Sequence, residues 1–494
     1  MTKRQATPEI ATPTPAKERR RAREISAEPA VENVPRRKRA GKPPKAREAD
    51  FVVIGAGSGG VAAARRAASH GARVILVERG AIGGTCVNRG CVPKKMLSYG
   101  ATLAAILSGC LSHTGGKEDW RDAIVRVNAE VARLNASYTQ RLAEAGVEIL
   151  HGEARLAAPT EIVIGNEIVQ ARKTLIATGA RPRALPVPGG ELAGTSDDVF
   201  TWQTVPASIV VIGGGYIAVE LASILSRYGV KVDLLVREDR LLPRFDHDIS
   251  RSLAEALAAT GIRLHFNTDV TLLSQTNGAV EVCYRQDSHP GRTQTVRAQA
   301  VLAAIGREAN VHGLGLEEIG VKMGPKGGIR VDRQFRSSER SLYAIGDCMA
   351  ENIHLTPVAI AQGRWVADRL FGKRGDIADF DFVPTAVFCE PAIGAVGLTE
   401  AQAIEAAGGK ADRIRTEIKR FVSLENRFGG NAQTSMFKLV LNARSGRVLG
   451  AHLMDNAAPE IVQTLAVALR LGLKTSHLKS TLPLHPTVAE ELFG

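Results

Sequence analysis

The 494-residue sequence predicts an α/β protein with two Rossmann-like dinucleotide-binding domains, the second inserted in the first, and a separate carboxyl-terminal α+β domain. Three observations carry that prediction. A strand, glycine turn, helix and strand follow one another from about residue 50, the same unit returns at Ser208, and no third glycine turn appears beyond Phe382. A chain of this length holds several domains of ordinary size.

In the first unit the apolar run Phe51-Val52-Val53-Ile54 leads into Gly55-Ala56-Gly57-Ser58-Gly59-Gly60. An alanine-rich helical stretch follows to His70, and 73–78 reads as the next strand. A lone glycine fingerprint is weak evidence; a strand before it, a helix after it and an acid closing the next strand make it specific. The glycines let the backbone approach a pyrophosphate at the helix amino end, and Glu78 is placed to accept hydrogen bonds from ribose hydroxyls. The second unit runs 208–212, then Gly213-Gly214-Gly215-Tyr216-Ile217-Ala218, a helix to Tyr228 and a strand at 231–236. Arg237 reads as the residue closing that strand. Arginine suits a 2′-phosphate where an acid suits a free hydroxyl, so the contrast suggests two different dinucleotides, FAD in the first unit and NADPH in the second being one assignment.

Two later runs, 175–179 and 342–347, read as strands returning to the first unit, the second of them carrying Asp347 at its end. The insertion follows from their order. Past Phe382, strands such as 436–441 alternate with helices such as 458–471. The predicted divisions are a basic extension at 1–48, an FAD-binding domain at 49–182 and 310–380, an NADPH-binding domain at 183–309, and a third domain at 381–494.

Cys86 and Cys91 lie five apart in Gly84-Thr85-Cys86-Val87-Asn88-Arg89-Gly90-Cys91-Val92-Pro93-Lys94-Lys95. On a regular helix residues so spaced stand roughly 8–9 Å apart by Cα, beyond the ~4.4–6.8 Å of a disulfide. A bond between them requires a distorted backbone, which Asn88 and Gly90 permit. The pair reads as a redox-active dithiol; two buried free thiols or half a zinc site are the alternatives, and no second ligand pair stands nearby. The scattered Cys110, Cys283, Cys348 and Cys389 read as small apolar residues.

The net charge of +13 is uneven: residues 1–50 hold 14 Lys and Arg against 7 Asp and Glu, with few aliphatic or aromatic side chains. That segment reads as disordered, and nucleic acid would be reached only through it. No secretory signal or membrane-spanning run is legible, and acids within the arm speak against a mitochondrial leader, which points to the cytoplasm. No metal site is predicted.

The cysteine loop, Gly-Tyr-Ile-Ala-Val-Glu at 215–220, Ala-Ile-Gly-Asp at 344–347, Leu-Thr-Pro-Val-Ala-Ile-Ala at 355–361 and His485-Pro486-Thr487 with Glu490 occur in the order of one family. From about residue 50 to the end the chain resembles the flavin-dependent disulfide reductases, and among them those acting on glutathione disulfide. The resemblance implies that FAD is held by Gly55, Gly57, Ser58, Gly59, Gly60, Glu78, Thr85, Cys86, Lys94, Thr178, Gly179, Asp347 and Thr356. It implies NADPH at Gly213, Gly215, Tyr216, Ile217, Glu220, Arg237, Arg244, Gly306 and Arg307, with Tyr216 covering the nicotinamide pocket and Lys94 paired to Glu220. Cys91 would be the flavin-side thiolate and Cys86 the sulfur that attacks substrate. His485, oriented by Glu490, would be the general acid, reaching the partner's cysteines in a homodimer built by the third, dimerisation domain. Ser58, Arg65, Tyr138 and Arg364 would contact glutathione disulfide. Lipoamide or another small disulfide is the alternative substrate, and a flavoprotein tethered through its basic arm a third reading. One departure stands out: the family's two NADPH arginines are six apart, whereas here Pro243-Arg244 displaces the second by one position, leaving Arg240 or Arg244 to substitute.

Overall fold

The computed structural model describes residues 46–111, 117–288, 291–372, 380–430 and 433–493, side chains at 104–118 apart. The first sheet opens with β1 (Arg47–Ile54), whose apolar second half is buried. α1 (Ser58–Ser69) carries the chain to β2 (Val74–Glu78), parallel to β1. Helices α2 (Gly84–Asn88), α3 (Cys91–Leu111) and α4 (Lys117–Glu144) follow. Strands β3 (Glu148–His151), β4 (Ala154–Ala158), β5 (Glu161–Ile164) and β6 (Glu167–Ile176) complete the sheet in the order β3-β2-β1-β6-β5-β4. Pairing is parallel along β3-β2-β1-β6, and the central β1 and β2 carry buried aliphatic runs, as strands covered by helices on both faces do.

β7 (Ala180–Pro182) leaves this sheet for the second unit. There β8 (Gly194–Thr195), β9 (Ser208–Ile212), α5 (Tyr216–Arg227), β10 (Lys231–Leu235), α6 (His247–Ala259) and β11 (Arg263–His265) follow in turn. An antiparallel meander of β12 (Thr268–Thr276), β13 (Ala279–Gln286) and β14 (Thr293–Ala298) leads to β15 (Ala300–Ala303). The parallel order β11-β10-β9-β15 repeats β3-β2-β1-β6 of the first unit. β16 (Arg307–Ala309) pairs antiparallel with β7, so the chain leaves and returns along one narrow ribbon. β17 (Leu342–Ala344) then re-enters the first sheet beside β6. The second unit is inserted in the first.

α7 (Thr356–Phe371) packs on α1 at glycine distance: a Cβ on Gly363 would lie 2.5 Å from the Gly59 carbonyl oxygen. The last domain holds β18 (Thr385–Val387), β19 (Ile393–Gly397), α8 (Glu400–Ala406), β20 (Ile414–Phe421), α9 (Leu424–Phe428), β21 (Ser435–Asn442) and β22 (Val448–Met454). These strands form one antiparallel sheet, β18-β19-β22-β21-β20. On it α10 (Ala458–Arg470) buries Val462, Leu465, Ala466 and Leu469, the spacing of one helical face, and α11 (Thr475–Ser480) follows. No helix among the described residues is long and apolar enough to cross a membrane.

The sequence reading places the basic extension through residue 48, and the structure corrects its end. Arg47 and Glu48 already belong to β1, paired with Val169 and Gln170, because the ladder to β6 runs beyond the apolar stretch. Residues 1–45 lie outside the described residues.

Candidate active site

The two cysteines meet at a break between helices. α2 stops at Asn88, Arg89 takes φ −148° and ψ 25°, and α3 starts at Cys91. The Asn88 side-chain amide donates to the carbonyls of Gly84 (2.9 Å) and Ile82 (3.3 Å), fixing the turn. Gly90 is required by close approach, since a Cβ there would fall 2.9 Å from the Thr85 oxygen. The break brings the sulfurs into a mutual hydrogen bond that a continuous helix would prevent, and both are free thiols here.

That bond divides one proton unequally. The Cys91 thiol is lowered to about 6, chiefly by the hydrogen bond from Cys86, with the Lys94 charge and the Thr356 hydroxyl helping and burial opposing. Cys86 is raised far above the ordinary thiol range by the same bond and by burial, although Thr356 and Ser58 both hydrogen-bond its sulfur. The anion is thus favoured on Cys91, beside the Lys94 charge, over Cys86.

Lys94, one turn into α3, donates to Glu220 on α5 at 2.7 Å, both side chains buried. Glu220 also accepts from the Phe388 N–H at 2.8 Å, and the Phe388 ring lies 4.2 Å from the ammonium groups of both Lys94 and Lys95. Sequence reasoning missed Phe388: a lone aromatic some 290 positions away leaves no local signal. Tyr216 opens α5, is 46% exposed, and feels the charges of Glu220, Arg307, Asp347 and Cys91. Arg307 donates to the Ala180 carbonyl (2.6 Å) and the Thr85 hydroxyl (3.5 Å), and also faces Asp197. Asp347 is pushed upward by burial, with His354 and Arg307 opposing. Thr356 opens α7 with its hydroxyl 3.8 Å from the Cys91 sulfur. Thr178 and Gly179, just past β6, are tied to Asn310.

The first glycine turn fits a dinucleotide. A Cβ on Gly60 would stand 1.9 Å from the Gly55 oxygen, whereas one on Gly57 would meet only the Gly84 Cα, at 3.9 Å. No side chain caps the amino end of α1, so its first N–H groups are free for a pyrophosphate. Glu78 accepts from the N–H groups of Ala56 (2.7 Å) and Gly80 (2.8 Å), which holds its carboxylate over the turn. The second turn shares the cradle: Gly215 faces open space and α5 has no side-chain cap.

At the end of the second strand the structure corrects the sequence reading. Ile54 pairs with Val77 and Ile212 with Leu235, so the counterpart of Glu78 is Val236, and Arg237 corresponds to Arg79. Val236 is buried, and Arg237 is exposed and paired to Glu238 at 2.9 Å. Arg240 donates to the Pro243 carbonyl at 3.2 Å, while Arg244 is exposed and without a hydrogen bond or ion pair among the described residues. Ile217 is half-buried and Gly306 takes φ +114° at the ribbon's return.

Of the residues expected to meet substrate, Ser58 touches Cys86, and Arg65 on α1 and Arg364 on α7 are exposed without partners among the described residues. Tyr138 is half-buried against the first core. His485 is not among the groups acting on the cysteines; it stands 78% exposed in the last domain, its Nδ1 2.9 Å from Glu490. Nearby Leu482 and Leu484 are exposed as well, as are Val467 and Leu471 around α10. Cys348 and Cys389 are buried and Cys283 half-buried, whereas the Cys110 side chain lies outside the described residues. Among the described residues no group of three or more His, Cys, Asp or Glu side chains is arranged to hold a metal ion.

Residues 49–363 match the family described as pyridine nucleotide-disulphide oxidoreductase, and 383–493 match its dimerisation domain. The chain is 39% identical to the glutathione reductase of Burkholderia cepacia over 446 residues, covering 90% of this chain and 97% of that protein. It is 38% identical to the glutathione reductase of Nostoc sp. over 457 residues, 90% of this chain and 98% of the relative. The glutathione reductase of Yarrowia lipolytica is 35% identical over 465 residues, again 90% and 98%.

Proposed function

The chain belongs to the pyridine nucleotide-disulphide oxidoreductases, and from that premise we propose that it reduces glutathione disulfide to two glutathione at the expense of NADPH, through FAD and the Cys86–Cys91 pair. The observation that carries this reading is geometric: the helix break between Asn88 and Cys91 sets two thiols beside the Thr356 hydroxyl and the buried Lys94–Glu220 pair. The cofactors supply, when bound, the electron pair that opens the 86–91 disulfide. The chain's own residues do the rest.

Lys94, held in place by Glu220, brings its ammonium charge to bear on Cys91 and favours the thiolate there, with the Glu220 carboxylate partly opposing. Ser58 and Thr356 lower the cost of an anion at Cys86, the sulfur that attacks the substrate disulfide. Cys86 gives up its proton as it attacks, forming a mixed disulfide with one glutathione, and that proton passes to the sulfur of the glutathione that leaves. The Cys91 thiolate then closes on Cys86 and releases the second glutathione as a thiolate, which takes its proton from water. We assign the proton delivery to His485 with Glu490, supplied by the partner of a homodimer. The free position of that ring, the exposed apolar side chains around it and the dimerisation domain support the assignment. Arg65 on α1 and Arg364 on α7, without partners among the described residues, suit the carboxylates of a glutathione disulfide. A cytoplasmic setting agrees with thiols at 283, 348 and 389 that have no bridging partner among the described residues.

A coupled assay on the purified protein tests the reading. Rapid NADPH oxidation with glutathione disulfide, and little with lipoamide, is expected. The reverse preference would transfer the protein to the lipoamide branch.

A further inference from the structure

The geometry points to Glu238 as the residue that sets the choice between NADPH and NADH, an inference that rests on the reading of the second unit as the nicotinamide-nucleotide site. In the first unit the acid that closes the second strand hydrogen-bonds the N–H of the middle residue of the glycine turn, Glu78 to Ala56. The counterpart of Ala56 is Gly214. The backbone is equivalent to the next bond: Ala56 accepts from the Gly83 N–H and Gly214 from the Leu242 N–H, both at 2.8 Å. Yet the Gly214 N–H meets no acceptor among the described residues, because the strand's closing residue is the apolar Val236.

A carboxylate still reaches this place, from two residues further on. A Cβ built on Gly214 would have the Glu238 Oε2 atom 3.8 Å away, and Oε1 of the same carboxylate accepts from Arg237 at 2.9 Å. Glu238 thus stands between the glycine turn, where an adenosine ribose is held in such folds, and the guanidinium that would meet a 2′-phosphate. The two nucleotides ask opposite things of it. The free 2′-hydroxyl of NADH is a donor that a carboxylate accepts, whereas the 2′-phosphate of NADPH must be met by Arg237 against the competing and repelling charge of Glu238. Glu238 narrows the preference for NADPH and admits NADH.

The test measures NADP+ and NAD+ binding to the oxidised holoenzyme by calorimetry, for the unaltered chain, Glu238→Gln and Asp239→Asn. Asp239 is exposed, carries the same charge and has no contact with Arg237 among the described residues, so it reports the bulk field alone. Glu238→Gln is expected to tighten NADP+ by roughly three- to tenfold and weaken NAD+ by about threefold, the scale of an exposed ion pair and one hydrogen bond. Asp239→Asn is expected to change both by less than about twofold. Equal changes in the two variants, or none with Glu238→Gln, overturn the proposal. Because binding is read without turnover, the expected shift in a protein inert toward glutathione disulfide would sink the substrate reading and leave Glu238 in place. Full glutathione turnover with an unchanged nucleotide preference in Glu238→Gln would do the opposite.

Discussion

The two nucleotide units share a strand order, a glycine turn and an uncapped helix end, and they part at single positions along that common frame. The first closes its second strand with Glu78, bonded to the turn; the second closes it with buried Val236 and moves its charges outward to Arg237 and Glu238. The first has Gly60 where the second has Ala218. The comparison teaches that the backbone cradle and the choice of ligand are separate layers. Parallel pairing sets where a pyrophosphate sits, and a side chain or two at the strand end decides which ribose is accepted.

The strongest way to break the comparison is at the joint between the units, where Lys94 from the first meets Glu220 from the second at 2.7 Å in a buried setting. Lys94→Met leaves Glu220 with the Phe388 N–H alone, and removing one partner of a buried pair costs about 3–5 kcal/mol. A fall in the melting temperature is expected, largely restored when Glu220→Gln is added; a melt unchanged by the single substitution would show the joint to be solvent-relaxed. Next in size is Gly60→Ala. Its Cβ would meet the Gly55 carbonyl, a backbone atom that cannot swing aside, so the cost lies at or above the top of the ~1–3 kcal/mol range for overpacking. Weaker retention of FAD absorbance through gel filtration is expected to accompany it.

Much of this was legible in the chain. The alternation of apolar strands with glycine turns is local, so β1, α1, β2 and their repeats could be placed from a few residues each. The helix break at Asn88–Gly90 was legible for the same reason: five residues cannot bring two sulfurs together without it. The equivalence of Glu78 and Val236 was not, because it depends on which residues pair across strands, Ile54 with Val77 and Ile212 with Leu235. Counting to the nearest charge selected Arg237 instead. Phe388 and Thr356 converge on the cysteine loop from other parts of the chain, by packing that no local pattern records.

The charges beyond Val236 sharpen the comparison further. Arg237→Glu gives the second unit three consecutive acids, at positions 237 to 239, and removes the guanidinium from the strand end. The Michaelis constant for NADPH is expected to rise by about 10–100-fold and that for NADH by far less, the weight of one charge-assisted contact. Equal increases would place the 2′-phosphate elsewhere. A pH series isolates what the first unit has and the second lacks, its reactive sulfur. The Cys91 thiol titrates below its ordinary value, so its anion is present above about 6 and is lost as pH falls through that point. The long-wavelength band of the NADPH-reduced enzyme should fade below about pH 6, vanish in Cys91→Ser, and persist at neutral pH. A midpoint near that of a free thiol would mean that Lys94 and Cys86 do not act on this sulfur.

The smallest expected effect lies at Ala218, the mirror of Gly60. Ala218 is fully buried, and the second unit accommodates a methyl group where the first would drive one into its own turn. Ala218→Gly should therefore do no steric good. It removes a buried methyl and adds backbone freedom near the start of α5, at roughly 0.5–1 kcal/mol for the glycine. A modest loss of stability with unchanged NADP+ binding is expected from melts and calorimetry. If the variant instead bound NADP+ tighter, the alanine would be crowding the pyrophosphate, and the two cradles would differ in the backbone layer that their pairing makes equivalent.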